Sequence, residues 1–179
     1  MSLSPTAQKF VLHWGEMGTR WGVNRTVAQI HALLYLSGRP LTADDIVETL
    51  GVARSNVSNS LKELQSWKLV RITHVLGDRR DHFQALQDVW DIFRVILEER
   101  KRREIDPTLS VLRECAIDGA DDRELDAATL ARMQTVLDFL EMLSASFQDF
   151  QHLPPQTLQR MLRMGGQVAR FLPAGKDKP

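Results

Sequence analysis

The run Arg54-Ser55-Asn56-Val57-Ser58-Asn59-Ser60-Leu61-Lys62 holds two apolar side chains, Val57 and Leu61, four positions apart. On a helix that spacing makes an inward stripe, leaving Arg54, Ser55, Asn56, Ser58, Asn59 and Lys62 for the outer face. Such side chains suit the edges of base pairs in a major groove. Arg pairs with guanine O6/N7, Asn with adenine N6/N7, and Ser or Lys holds phosphate. Ser and Asn are poor choices for an exposed helix, because they offer the backbone competing local hydrogen bonds. Further on, Gly77-Asp78-Arg79-Arg80 sets two guanidinium groups, Arg79 and Arg80, at a hairpin tip, suited to a minor groove or a phosphate. Each feature alone also fits a plainer reading. The helix can be the polar face of a protein-binding winged helix, and the turn can be solvated, with Asp78 and Asp81 offsetting the arginines.

The flanking sequence supplies the elements that must position these groups. Ser4-Pro5 caps and opens a helix to about Gly18, and Asn24 caps a second that ends at Gly38-Arg39-Pro40. Thr42-Ala43-Asp44-Asp45 resembles a capping box with Asp in the usual Glu or Gln position, so a short third helix runs from there to Gly51. A fourth covers about Arg54 to Trp67. A short helix, a glycine turn and a second helix make a helix-turn-helix. Then the period changes. The β-branched run Leu69–Val75 reads as a strand, Leu76–Arg80 as a turn, and Asp81–Ala85 as a return strand, the wing. The remainder is helical: Val89 to about Ile105, Asp106-Pro107 to about Ala116, Asp126 to about Phe150, and a last helix from Pro155 that weakens at Gly165-Gly166. The tail from Gly175 to Pro179 is expected to be loose. The expected fold is mainly α with a small β wing. A winged helix-turn-helix with its N-terminal helix occupies residues 1–87, and a helical dimerisation and regulatory region occupies residues 88–179.

Total charge argues against a nucleic-acid partner, since 23 Lys and Arg balance 23 Asp and Glu over 179 residues. The distribution argues the other way. Residues 54–82 hold six cations against three anions, whereas residues 121–151 hold seven anions against two cations. The basic stretch would approach DNA and the acidic helices would stay away from it. The N-terminus has no secretory pattern and no apolar run is long enough to span a bilayer, so a cytoplasmic protein without a membrane partner is expected. A single cysteine, Cys115, rules out an internal disulfide framework.

The chain also resembles a known family. Trp14-Gly15, Trp21-Gly22-Val23-Asn24-Arg25-Thr26 and Gly38-Arg39-Pro40-Leu41 look like the GbsR branch of the MarR-type regulators. So do Thr42–Ile46, Ser55–Leu64, Trp67-Lys68-Leu69-Val70 and Gly77–Asp81, and the likeness covers roughly the first 105 residues. One departure is Ala53, where a capping Ser is commoner. The resemblance implies a homodimeric, DNA-binding transcription regulator, usually a repressor, that binds a pseudo-palindromic operator. The apolar stripe Leu130, Met133, Val136, Leu137, Leu140 and Leu143 gives a partner chain something to cover, or else serves an intrachain helical core.

Other chemistries find less support. A small-molecule effector of unknown identity is expected for a repressor. Trp14, Trp21, Trp67 and Trp90 offer faces for a quaternary ammonium ion, but three of them lie in or beside packed helices and read as core. Cys115 reads as a small core residue rather than a redox switch. The histidines His13, His31, His74, His82 and His152 lack zinc spacing; His31 reads as a satisfied core or boundary residue, while His74 and His82 flank the wing within reach of phosphate or solvent. The Glu98–Glu104 charge run reads as a solvated helix face with (i, i+4) pairs. No cofactor motif, metal set or catalytic constellation is present, and an enzyme is not expected. The alternatives are a winged-helix protein-interaction module without DNA readout, and a ligand-binding dimer that has lost DNA contact.

Overall fold

A computed structural model describes residues 3–171 of the chain. The chain divides into two compact units, Met1–Glu99 and Arg100–Pro179.

The first unit is built on helices whose starts are fixed locally. Helix α1 (Pro5–Arg20) has Ser4 as its cap, accepting from the Ala7 amide at 3.2 Å, and α2 (Arg25–Ser37) has Asn24, accepting from Thr26 at 2.8 Å. α1 runs two residues past Gly18 because Gly15 and Gly18 serve close packing instead of ending it: an added Cβ on Gly18 would stand 2.6 Å from Ala28 Cβ of α2. Strand β1 (Leu41–Thr42) leads into α3 (Ala43–Leu50), which the complete capping box of Thr42 and Asp45 starts and left-handed Gly51 ends. Helix α4 (Arg54–Ser66) follows after two residues, and its N-cap, Ala53, makes no side-chain bond.

The wing comprises β2 (Val70–Val75) and β3 (Asp78–Ala85), antiparallel in the order β1-β3-β2, with Leu41 opposite Phe83 and Ile72 opposite the same residue. Two features differ from the expectation. The two-residue β1 adds a third strand, and β3 begins at Asp78, so Asp78-Arg79-Arg80 lies in the strand and the turn shrinks to Leu76-Gly77. Gly77 takes φ +86°, a conformation that strains any other residue in so short a turn. Ile30, Leu33, Leu34, Leu41, Ile46, Val57 and Leu64 are sealed from solvent and form the core, which Phe83 and Ala85 of the wing and Ile92 of helix α5 (Val89–Arg100) complete.

The second unit holds helices α6 (Asp106–Asp121), α7 (Ala127–His152) and α8 (Pro155–Phe171). The expected single helix from Val89 to Ile105 instead ends as α at Arg100 and passes through a π-helical turn, Lys101–Ile105. α6 continues five residues past Ala116, since nothing there breaks it, and α8 runs through Gly165-Gly166 without interruption. Asp126 caps α7 through the Thr129 amide at 2.9 Å, as expected. Arg113 of α6 reaches Glu141 of α7 with Nε at 2.9 Å and Nη2 at 2.8 Å, both donating to Oε1. The (i, i+4) pairing expected within residues 98–104 is present as Arg100 Nη1 to Glu104 Oε1 at 3.2 Å. The tail from Gly175 to Pro179 lies outside the described residues.

Candidate nucleic-acid interface

Helix α4 turns Val57, Ser60, Leu61 and Leu64 into the core. Because these recur at three- and four-residue steps, the opposite face is fixed in solvent. Arg54, Ser55, Asn56, Asn59 and Lys62 are exposed and Ser58 is half-buried, so the structure brings together on one helix the six residues singled out from the sequence. Ser60, a polar residue in an inward position, is 5% exposed, small enough to sit under the helix.

The wing holds its two arginines differently. Arg80 is chelated by Asp78: Nε donates to both carboxylate oxygens at 3.0 Å, Nη2 to Oδ2 at 2.5 Å, and the backbone amide to Oδ1 at 3.0 Å. These bonds, the side-chain ones foremost, hold the Asp78 carboxyl far below the usual carboxylate range. Arg79, exposed one residue earlier, forms no ion pair or side-chain hydrogen bond among the described residues. The alternation of a strand explains the difference, since residues 78 and 80 share a face and 79 takes the other.

His82 is not a solvated strand residue. It is 8% exposed, because its strand position turns it inward, and its Nδ1 lies 2.9 Å from the Arg80 carbonyl. A carbonyl only accepts, so Nδ1 carries the proton there. Nε2 stands 3.6 Å from Asp78 Oδ2. His74 is exposed on β2. Together His82, Asp78 and the Arg80 backbone brace the wing from behind. A pairing missed in the sequence is that of Asp44, in the first turn of α3, whose carboxylate pairs with the Arg54 guanidinium at the start of α4. An acidic residue in a first helical turn reads as a complement to the helix dipole, so a partner ten positions away leaves no local signal.

Between α4 and the wing lies an open groove of about 440 Å³, lined among others by Arg54, Lys62, Leu61, Ile72, Arg80 and Phe83. It lies wholly within the first unit. Of the tryptophans, only Trp67 is buried; Trp21 is 53% exposed because it lies just beyond the end of α1, and Trp14 and Trp90 are half-buried. His31 is 5% exposed, but its Nε2 has no hydrogen-bond partner among the described residues, so the expectation of a satisfied core histidine fails on the second count. Cys115 is half-buried and free, and no metal-binding group of His, Cys, Asp and Glu occurs among the described residues. None of the described helices is long and apolar enough to cross a membrane.

Comparison with known proteins places this geometry. Residues 21–81 match the MarR family model, a span from the end of α1 to the wing. Over 98 residues the chain is 24% identical to the HTH-type transcriptional repressor GbsR of Bacillus subtilis (strain 168), a stretch that is 55% of this chain and 54% of that protein. The chain thus matches about half the length of this curated relative. A solved structure described as a transcriptional regulator superposes with a TM-score of 0.64 at 17% identity, covering 82% of this chain and 96% of that one, which speaks to the fold. Residues 21–81, which span most of the winged helix, are thus similar to the MarR family.

Proposed function

We propose that this chain is a duplex-DNA-binding transcription regulator, a repressor, that reads a pseudo-palindromic operator as a homodimer. The observation that carries this reading is the outer face of α4. Arg54, Ser55, Asn56 and Asn59 stand in solvent on a helix that stability alone would furnish otherwise, and the wing cation Arg79 is unpaired among the described residues of the same unit. In this reading Arg54, Ser55, Asn56, Ser58 and Asn59 face base edges, while Lys62, Arg79 and Arg80 hold backbone or minor groove. Residues 88–179 supply dimerisation and regulation. Support comes from α7, where Val136, Phe139, Met142, Leu143 and Phe150 remain between 44% and 57% exposed, an apolar display suited to a partner chain. Two reading helices set about one DNA turn apart, roughly 34 Å, would then meet an inverted repeat. The similarity to a protein named as a repressor supports the sign of regulation.

Fluorescence anisotropy of labelled duplexes at several salt concentrations tests the reading. Affinity is expected to fall steeply with salt as phosphate counterions are released. Arg79→Ala should weaken binding to all duplexes alike and flatten the salt slope by about one unit. Failure to bind any duplex at low salt would favour the protein-interaction module.

A further inference from the structure

We infer that Asp44 is a specificity-determining positioning residue that makes Arg54 a reader of guanine and keeps it off the phosphate backbone. The inference rests on the DNA reading proposed above and assigns one base class to one side chain of that site.

Arg54 is the first residue of α4, and Asp44 lies in the first turn of α3 across the glycine turn. Arg54 Nη1 pairs with Asp44 Oδ1, and the two side chains are 59% and 60% exposed. A pair this exposed adds little to folding stability, because water screens it and two long side chains must be ordered to make it. Its consequence lies in what the guanidinium can do next. A free arginine beside a groove can swing to a phosphate, as sequence-independent binding requires. With Nη1 held by a carboxylate, the side chain is confined to a narrow set of rotamers, and Nη2 and Nε remain as donors. The guanidinium is a rigid planar fork whose paired donors match guanine O6 and N7. The Asp44 charge also repels any phosphate that approaches the same group, so non-specific contact is penalised and base contact is not.

Two other cations of the interface, Lys62 and Arg79, show the contrast: they have no such carboxylate among the described residues and are left to bind phosphate, whereas Arg80 is held by Asp78. Asp44 is not needed for the local fold: the capping box that starts α3 is made by Thr42 and Asp45, with the Thr42 amide donating to Asp45 Oδ2 at 2.8 Å and the Asp45 amide donating to Thr42 Oγ1 at 3.2 Å.

The test uses the full chain and duplexes selected by it from a random pool, with each guanine of the selected site replaced in turn. Anisotropy is measured for the wild type, Asp44→Asn, Asp44→Glu, Arg54→Ala and the double variant Asp44→Asn/Arg54→Ala, with thermal melts to verify folding. The wild type should prefer guanine at one position per half-site by about 10-fold. Asp44→Asn should lose most of that preference while gaining affinity for unselected duplexes, and Asp44→Glu should retain part of it. In the Arg54→Ala background the Asp44 substitution should change nothing further. The inference is overturned if Asp44→Asn keeps the full guanine preference, or if it weakens all duplexes equally. A wild type that selects no sequence at all would overturn the DNA reading itself, a different failure from selective binding that ignores Asp44.

Discussion

Lowering the pH should destabilise the first unit through His31. This residue lies in α2 between the fully buried Ile30 and Ala32, its Nε2 has no partner among the described residues, and burial lowers its pKa from 6.5 to about 4. Protonation therefore takes place more readily in the unfolded chain than in the folded one. A group depressed in this way leaves stability intact above pH 6.5 and erodes it as the pH falls toward 4. Integrating proton binding between those values gives a loss of about 3 kcal/mol at pH 4, a large part of the roughly 5–15 kcal/mol that holds a domain folded. Urea unfolding of the wild type and of His31→Leu between pH 8 and 4 isolates the effect, because the other histidines and the carboxylates are common to both. The leucine variant should lose about 3 kcal/mol less over that range, and the His31 ring signals should shift near pH 4 in a proton-resonance titration. Equal losses in the two proteins, or a His31 midpoint near 6.5, would refute the reasoning.

Other outcomes follow from the same structure. Gly18→Ala drives a methyl to 2.6 Å from Ala28 Cβ, which has no rotamer to escape with, and should cost about 1–3 kcal/mol in urea unfolding. Ala53→Ser supplies the absent side-chain cap of α4 and should raise stability by about 1 kcal/mol, read as a higher denaturation midpoint. Asp126→Ala removes the cap of α7 and should cost a similar amount, about 1 kcal/mol. Arg80→Ala should soften the wing by leaving the Asp78 carboxylate without its chelate, which faster amide exchange at Arg79 and His82 would report.

What could be read from the sequence was what short-range chemistry decides. Ser4, Asn24, Thr42 with Asp45, and Asp126 each cap the helix that follows, because the bond joins residues two or three positions apart. The outer face of α4 was legible for the same reason, since Val57 and Leu61 fix its rotation. Strand β1 was not, because two residues carry no period, and only its pairing with Phe83 and His82 makes it a strand. The inward turn of His82 depends on that third strand as well. Arg54 was seen as a base reader, but its tie to Asp44 depends on how α3 and α4 cross, which no spacing rule encodes. The π turn at Lys101–Ile105 lies in a run of charged residues that fits an α-helix equally well; Lys101 Nζ bonds Asp106 Oδ1 across it at 2.5 Å.

The central claim is that α4 and the wing read duplex DNA, and Asn56 tests it most directly. Asn56 is exposed in the first turn of α4 and suits adenine N6/N7. With a duplex selected from a random pool and a matched series of single-base replacements, the affinities of the wild type and Asn56→Ala are compared by anisotropy at fixed salt. The account predicts that Asn56→Ala loses about 1–3 kcal/mol on the selected duplex and relaxes preference at one position per half-site, with binding to unselected DNA unchanged. Unchanged affinity and unchanged preference would contradict it.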